Sequence, residues 1–504
     1  MSRDESLFAA VRAAMPDASH PFLRLPGGTT ITYGDMLARS SRLAHAIAAS
    51  GVRPGDRVAV QVEKSANALL LYLACLRAGA IYLPLNPAYT VAEIEYFLAD
   101  AEPRLVAVSP ARESAVRALA GERASLHTLG DDGKQGSILA EADRHATTFA
   151  DVPGAANAPA AILYTSGTTG RSKGAMLSQE NLLSNACVLR DLWRFTPNDV
   201  LLHALPIFHT HGLFTATNTL LMAGGSMMFL PRFEPDAIFA ALPHTTAMMG
   251  VPTFYTRLLA DSRLDCRTTA HIRLFISGSA PLLAETHRQW FARTGHIILE
   301  RYGMTETGMI ASNPYAGERV AGSVGFALPG VALRVAAPDS GAELPQGDVG
   351  TIELRGPNVF AGYWRNPEQT AQAFRPDGFF ITGDLGRIDE RGYLHIVGRA
   401  KDVIISGGFN VYPKEIEAEI DSLPGVRESA VIGVPHADLG EAVTAVVVLD
   451  PGAKLDEAVA IRQLGERLAR YKLPKRIFVV EELPRNTMGK VQKALLRQAH
   501  RQVF

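Results

Sequence analysis

The sequence has little with which to build cross-links, a membrane span or a field of one sign. Only three cysteines occur in 504 residues, Cys75, Cys187 and Cys266, far apart and odd in number. That argues against a disulfide framework and fits reduced thiols. No CxxC pair is present to hold a structural metal. The best apolar run, 68–76, is too short to cross a bilayer, and the first eight residues carry acids without a signal-like core. Fifty basic against fifty-one acidic residues leave a net charge of -1. Nothing in bulk charge therefore draws nucleic acid or an anionic membrane. A soluble, cytoplasmic protein with no nucleic-acid or membrane partner is expected, and any anion recognition must be local.

What is present is a large apolar core. Hydrophobic residues make up 47% and charged residues 20%, a globular balance. The chain exceeds the roughly 250 to 300 residues at which single cores stop growing, so more than one domain is expected. In the first third, helical and strand patterns alternate. A helix is expected before Gly51, a strand at 58–62, an Ala/Leu-rich helix at 66–78 and a strand at 81–83. The stretch 101–154 reads as surface helices and loops. Further strands at 247–251, 274–277 and 297–301 each end in a loop of Gly, Ser, Thr or Pro, where ligands sit in open α/β sheets. From 324 to 396 the pattern turns to β with frequent Gly and Pro. After Gly398 a helix starting at Pro413 and strands at 430–434 and 443–449 suggest a small α+β domain.

The most telling stretch is Tyr164-Thr-Ser-Gly-Thr-Thr-Gly-Arg-Ser-Lys-Gly174, which follows the apolar residues 160–163. A strand ending in such a loop offers N–H groups and hydroxyls to a polyanion, and Gly167 and Gly170 allow close backbone approach. It is not a Walker A loop, because Lys173 is followed by glycine and the spacing is too short. The plain alternative is an ordinary surface loop. Four further clusters follow: Tyr302-Gly-Met-Thr-Glu306, Thr382-Gly-Asp384, Gly398-Arg-Ala-Lys-Asp402 and Pro484-Arg-Asn-Thr-Met-Gly-Lys490. Singly, each fits a solvated loop.

In this order the motifs resemble the acyl-adenylate-forming superfamily, which includes acyl-CoA synthetases, adenylation domains and luciferases. The runs Pro206-Ile-Phe-His-Thr-His-Gly-Leu213, Gly250-Val-Pro-Thr-Phe-Tyr-Thr-Arg257 and Glu300-Arg-Tyr-Gly-Met-Thr-Glu306 are most similar to bacterial malonyl-CoA synthetases. The resemblance implies an α/β fold. A large N-terminal domain, residues 1–398, would combine α/β sheet subdomains with a β subdomain. Residues 399–504 would form a small mobile α+β lid hinged at Lys401. It implies ATP-dependent joining of malonate to CoA through a malonyl-adenylate, with Mg²⁺ as cofactor. Another short or medium-chain acid, such as methylmalonate, is the alternative within enzymes. A carrier-loading adenylation domain fits less well, with no carrier domain in the sequence. A nucleotide-binding regulator without turnover is the alternative outside enzymes.

The resemblance also implies roles. Thr165, Ser166, Gly167, Thr168, Thr169 and Lys173 would hold the β- and γ-phosphates, Thr305 the α-phosphate, and Glu306 the Mg²⁺. Tyr302 would stack on adenine beside Gly278, Ser279 and Ala280. Asp384 would accept from the ribose hydroxyls with Arg399 in support. Lys490 would stabilise charge during adenylation, and Gly407 and Gly408 would line the CoA tunnel after lid rotation. His209 would border the acyl pocket near the thiol, walled by Ser277 and Met304, for which ordinary packing is the alternative. His209 and His211 have no third ligand cluster to make a zinc site. Arg257 would select a dicarboxylate through bidentate pairing; its alternative is a surface arginine with a buried stem. Relatives also suggest acetylation of Lys490 by an acetyltransferase, reversed by a deacetylase, which would remove its charge.

Overall fold

A computed structural model of the chain describes residues 5–165, 172–407, 409–486 and 489–504. Ser166, Gly167, Thr168, Thr169 and Gly408 therefore lie outside the described residues.

The fold is α/β, with a large N-terminal part of mixed sheets and a smaller C-terminal domain. One seven-stranded sheet runs Gly362–Tyr363, Lys173–Ser178, Pro159–Thr165, Ile81–Pro84, Arg57–Gln61, Leu105–Val108, Ser125–Thr128. The inner strands are parallel and carry buried Val, Ile, Leu and Ala, as strands covered on both faces require. The Ala/Leu pattern forms the helix Ala66–Arg77, capped by Ser65, whose side chain accepts from the Ala68 N–H. Leu105–Val108 and Ser125–Thr128 correct the expectation for 101–154, since two strands in that stretch extend the sheet. The first, Leu-Val-Ala-Val, is wholly buried, and four apolar residues are too few to show a period.

A nine-stranded sheet contains Val200–His203, Ala247–Gly250, Leu274–Ser277 and Leu299–Met304, parallel and adjacent except that the last turns back antiparallel to Gly308–Ser312. Their carboxyl ends deliver His209, His211, Ser279 and Tyr302 to one side. A four-stranded antiparallel sheet, Ala332–Ala336, Gly350–Arg355, Phe380–Ile388 and Leu394–Arg399, is the expected β unit. The chain leaves it at Arg399, passes a short turn at Ala400–Asp402, and enters the C-terminal sheet at Ile404–Ser406. That sheet packs the helices Pro413–Asp421 and Glu457–Gly465 over its own core. Among the described residues no helix is long and apolar enough to cross a membrane.

Candidate active site

The strand pair Pro159–Thr165 and Lys173–Ser178 sets Thr165 opposite Lys173 at the mouth of the Gly/Ser/Thr stretch. The Lys173 ammonium donates to Gln369 Oε1 and lies 5.2 Å from the Tyr363 ring centroid. Glu306 is buried, and burial raises its carboxyl pKa. Its Oε1 accepts from the Tyr363 hydroxyl at 3.1 Å and the Thr165 hydroxyl at 3.4 Å. Tyr363 and Gln369 escaped the sequence reading. They reach the site because Gly362–Tyr363 returns to pair with Met176 and Ala175, and no local pattern announces so distant a pairing.

Asp384 and Arg399 face each other in register on neighbouring strands. Asp384 Oδ1 pairs with Arg399 Nε at 2.7 Å, and its Oδ2 accepts from the Tyr302 hydroxyl at 2.5 Å. Thr305 stands in the turn closed by the Thr307 N–H to Met304 O bond, between Tyr302 and Glu306. Met304 is partly buried against the main core. Ser279, just past the strand Leu274–Ser277, holds a left-handed φ of 72°, a conformation that costs a non-glycine residue about 1 to 3 kcal/mol. Its hydroxyl meets His211 Nδ1 at 3.1 Å, and Ala280 follows half-buried.

Lys490 comes to the same place from the C-terminal domain. It remains reachable by solvent in the cleft, yet the protein around it lowers its pKa. Arg399 and Arg301 add to that shift, while Asp384 and Glu306 oppose it. The structure thus brings together Thr165, Lys173, Glu306, Tyr302, Asp384, Arg399, His209 and Lys490. Arg257 is exposed on the helix Pro252–Leu259, its guanidinium 6.0 Å from the Phe233 ring centroid and without an ion pair among the described residues. Thr253, one turn earlier on that face, lies beside Gly489, so Arg257 belongs to the face toward the Lys490 loop. Lys401 is exposed in the turn between the sheets, and Gly407, with φ of 59°, ends the first strand beyond it.

Arg301 is the principal residue that sequence reasoning passed over. It is 4% exposed, and its Nε and Nη2 find no partner among the described residues. Burial lowers its pKa to about 9, so it stays charged at neutral pH. His211 Nε2 and Ser277 Oγ are likewise buried without partners among the described residues. Buried polar atoms are ordinarily satisfied, so this group is organised to receive something. The signal was a basic residue at the end of the apolar strand 297–301.

His209 Nδ1 accepts the His211 N–H at 3.3 Å, which leaves its Nε2–H free to donate. Burial, with Lys490 and Arg301 nearby, lowers its pKa to about 3. His203 and His211 are also held well below the ordinary range by burial. His203 bonds Lys64 Nζ through Nδ1 at 2.9 Å and Gly212 O through Nε2 at 2.9 Å. These imidazoles stay neutral in the fold, whereas unfolded histidines protonate below about 6.5. The unfolded state then binds more protons, so stability falls as pH drops through that window. For His209 alone the loss at pH 5 is about 2 kcal/mol. Thermal melts should show Tm falling from pH 7 to 5, and a flat or rising Tm would contradict this.

The AMP-binding enzyme family model matches residues 9–364, and the AMP-binding enzyme C-terminal domain matches residues 415–490. The chain belongs to the AMP-binding enzyme family. The enzyme is 58% identical to the ATP-bound MatB from Rhodopseudomonas palustris, with a TM-score of 0.98 over 99% of this chain and 100% of that one. It is 36% identical to a feruloyl-CoA synthase of an Amycolatopsis species over 94% of each chain. It is 32% identical to a malonate–CoA ligase of Arabidopsis thaliana, covering 99% of this chain and 90% of that one. It is an AMP-forming acid–CoA ligase.

Proposed function

We propose that the enzyme is a malonate–CoA ligase. The observation that carries this is Arg301, a charged guanidinium kept dry with two nitrogens unpaired. Leaving such a group unmatched is costly, and an acid with one carboxylate has nothing to give it. A small dicarboxylate has a second anion to spare. One carboxylate meets Arg301 with Ser277 and His211, Met304 walls the pocket, Arg257 stands at its outer face, and the other carboxylate faces ATP. The Arabidopsis relative acts on malonate by its name, while the Amycolatopsis relative acts on a bulkier acid by its name.

The free carboxylate oxygen attacks the α-phosphorus, pyrophosphate leaves, and a malonyl-adenylate forms. Lys490 stabilises the charge that develops, Lys173 and the Thr165–Thr169 stretch hold the outer phosphates, and Thr305 bonds the α-phosphate. Tyr302 with Ser279 and Ala280 lines the adenine site, and Asp384 with Arg399 takes the ribose. Glu306 suits Mg²⁺, being a buried carboxylate held by the Tyr363 and Thr165 hydroxyls with no cation paired to it among the described residues. With no other metal-ligating cluster among the described residues, phosphates and water would complete its oxygen shell. When bound, the ion neutralises phosphate charge.

In the second step the CoA thiol gives up its proton to solvent, its sulfur attacks the acyl carbon, and the bond from that carbon to the phosphate oxygen breaks to release AMP. His209, kept neutral by burial and with Nδ1 taken by the His211 N–H, donates a hydrogen bond there from Nε2–H rather than acting as a base. Rotation about Lys401 withdraws Lys490 and brings Gly407 and Gly408 to the thiol path.

The test is AMP release from ATP and CoA with malonate, methylmalonate, acetate, propionate and octanoate. CoA-dependent release with malonate and little with acetate or octanoate is expected. Release only with monocarboxylates would overturn the assignment.

Gly278 offers a separate check. A Cβ there would lie 2.3 Å from Arg301 Cζ, so Gly278→Ala must push the guanidinium aside. Malonate turnover should fall by roughly 10²-fold, the usual consequence of displacing a binding group by about an ångström, with the thermal melt preserved. An unchanged rate would contradict the placement of Arg301.

A further inference from the structure

The loop that carries Lys490 has a mooring that the mechanism does not yet use. The Asn486 N–H donates to Lys490 O, the Gly489 N–H donates to Asn486 O, and the Lys490 N–H donates to Asn486 Oδ1, each at 2.9 Å. Arg485 and Val491 bridge across its base. Arg485 then spans two elements: Nη1 donates to Gly489 O at 2.5 Å, and Nη2 donates to Glu428 Oε2. Glu428 lies on Val426–His436, where it pairs with Val448 of Gly440–Leu449 just past a register shift after Val426, so the sheet holds its backbone.

Charge makes the clamp selective for a cation. Glu428 stands with Glu417 and Asp421, and Glu417 is paired with Lys493 at 2.5 Å. Asp421 has its pKa pushed up to about 7 by burial, with Glu417 and Glu428 adding to it. Arg485 balances this acidic group, and its planar fork lets one guanidinium bond Glu428 and the loop carbonyl together.

We propose that Arg485, fixed by Glu428, is a positioning residue for adenylation: it pins the Gly489 carbonyl and thereby aims Lys490. Gly489 holds φ of 74°, and glycine turns easily about its backbone. The peptide between Gly489 and Lys490 therefore needs an external hold. The following side chain is long and flexible, and an error of about 1 Å in such a group costs on the order of 10²-fold in rate. This inference rests on Lys490 being the adenylating cation.

The test is a double-mutant cycle on the full chain. Arg485→Ala, Arg485→Lys, Glu428→Gln, Lys490→Ala and Arg485→Ala with Lys490→Ala are compared in both half-reactions. These are acid-dependent pyrophosphate release, and thioester formation from supplied malonyl-adenylate and CoA. Arg485→Ala should slow pyrophosphate release roughly 10- to 10²-fold. Its thioester step should stay within about twofold, which also proves the protein folded. Glu428→Gln should show a weaker loss of the same kind, and Arg485→Lys a partial recovery. In the Lys490→Ala background, Arg485→Ala should add nothing. Equal loss in both half-reactions, or the same loss with and without Lys490, would overturn the proposal. Full pyrophosphate release by Lys490→Ala would instead overturn the role of Lys490 on which it rests.

Discussion

Replacing Lys490 by alanine should nearly abolish acid-dependent pyrophosphate release while sparing thioester formation from supplied malonyl-adenylate. The ammonium stands among Glu306, Asp384, Arg399 and Arg301 while solvent still reaches it. A charge in such a place interacts more strongly with developing phosphate and carboxylate charge than it would in bulk water. Removing one preorganised donor of this kind costs about 2.7 to 4 kcal/mol, or roughly 10² to 10³ in rate. Thioester formation needs no charge stabilisation during phosphoryl transfer, and in the proposed lid rotation Lys490 leaves before the thiol enters. Pyrophosphate release and thioester formation, measured on the same preparation, separate the two. Equal loss of both would mean that the residue supports the fold, and no loss would remove it from the chemistry.

Arg301→Gln should lower kcat/KM for malonate by about 30- to several-thousand-fold, the range for cutting one partner from a buried charge pair of about 2 to 5 kcal/mol. Acetate, which has no distal carboxylate, should lose far less, so the malonate-to-acetate ratio should collapse. Arg257→Ala should reduce that ratio less, because an exposed guanidinium pairs against competition from water. Stability supplies a second readout. Arg301 is buried with Nε and Nη2 unpartnered among the described residues, so shortening and neutralising it should leave Tm unchanged or raised, as at sites where function costs stability. Differential kinetics with a preserved melt would support the assignment. A malonate preference surviving in Arg301→Gln would refute it.

Much of the fold was legible because period and punctuation are local. The Ala/Leu pattern at 66–78 is the helix Ala66–Arg77, Leu274–Ser277 is the expected strand, and Pro413 opens the expected helix. The four-residue strand Leu105–Val108 was not legible, since its assignment comes from neighbours on either side in the sheet. The site divided in the same way. Asp384, Glu306, Tyr302 and Lys490 sit in short motifs, and the fold gathers them. Tyr363 and Gln369 act on Glu306 and Lys173 through a strand pairing across distant segments. Arg301 lay inside a quoted motif. Glu300 beside it accepts from the Gly322 N–H at 3.1 Å, and alternation along the strand turns Arg301 to the opposite face. Only the three-dimensional arrangement distinguishes the paired acid from the unpaired base. Arg257 drew attention as the obvious arginine after an apolar segment, although the drier guanidinium was Arg301.

The most direct test of the malonate assignment is a crystal structure with malonate and a non-hydrolysable ATP analogue. The distal carboxylate should lie within about 2.7 to 2.9 Å of Arg301 Nε and Nη2, the distance of a charge-assisted bond, with the other carboxylate toward the α-phosphate and Lys490. A distal carboxylate held by Arg257 alone or left in solvent, with Arg301 still unpaired, would contradict it.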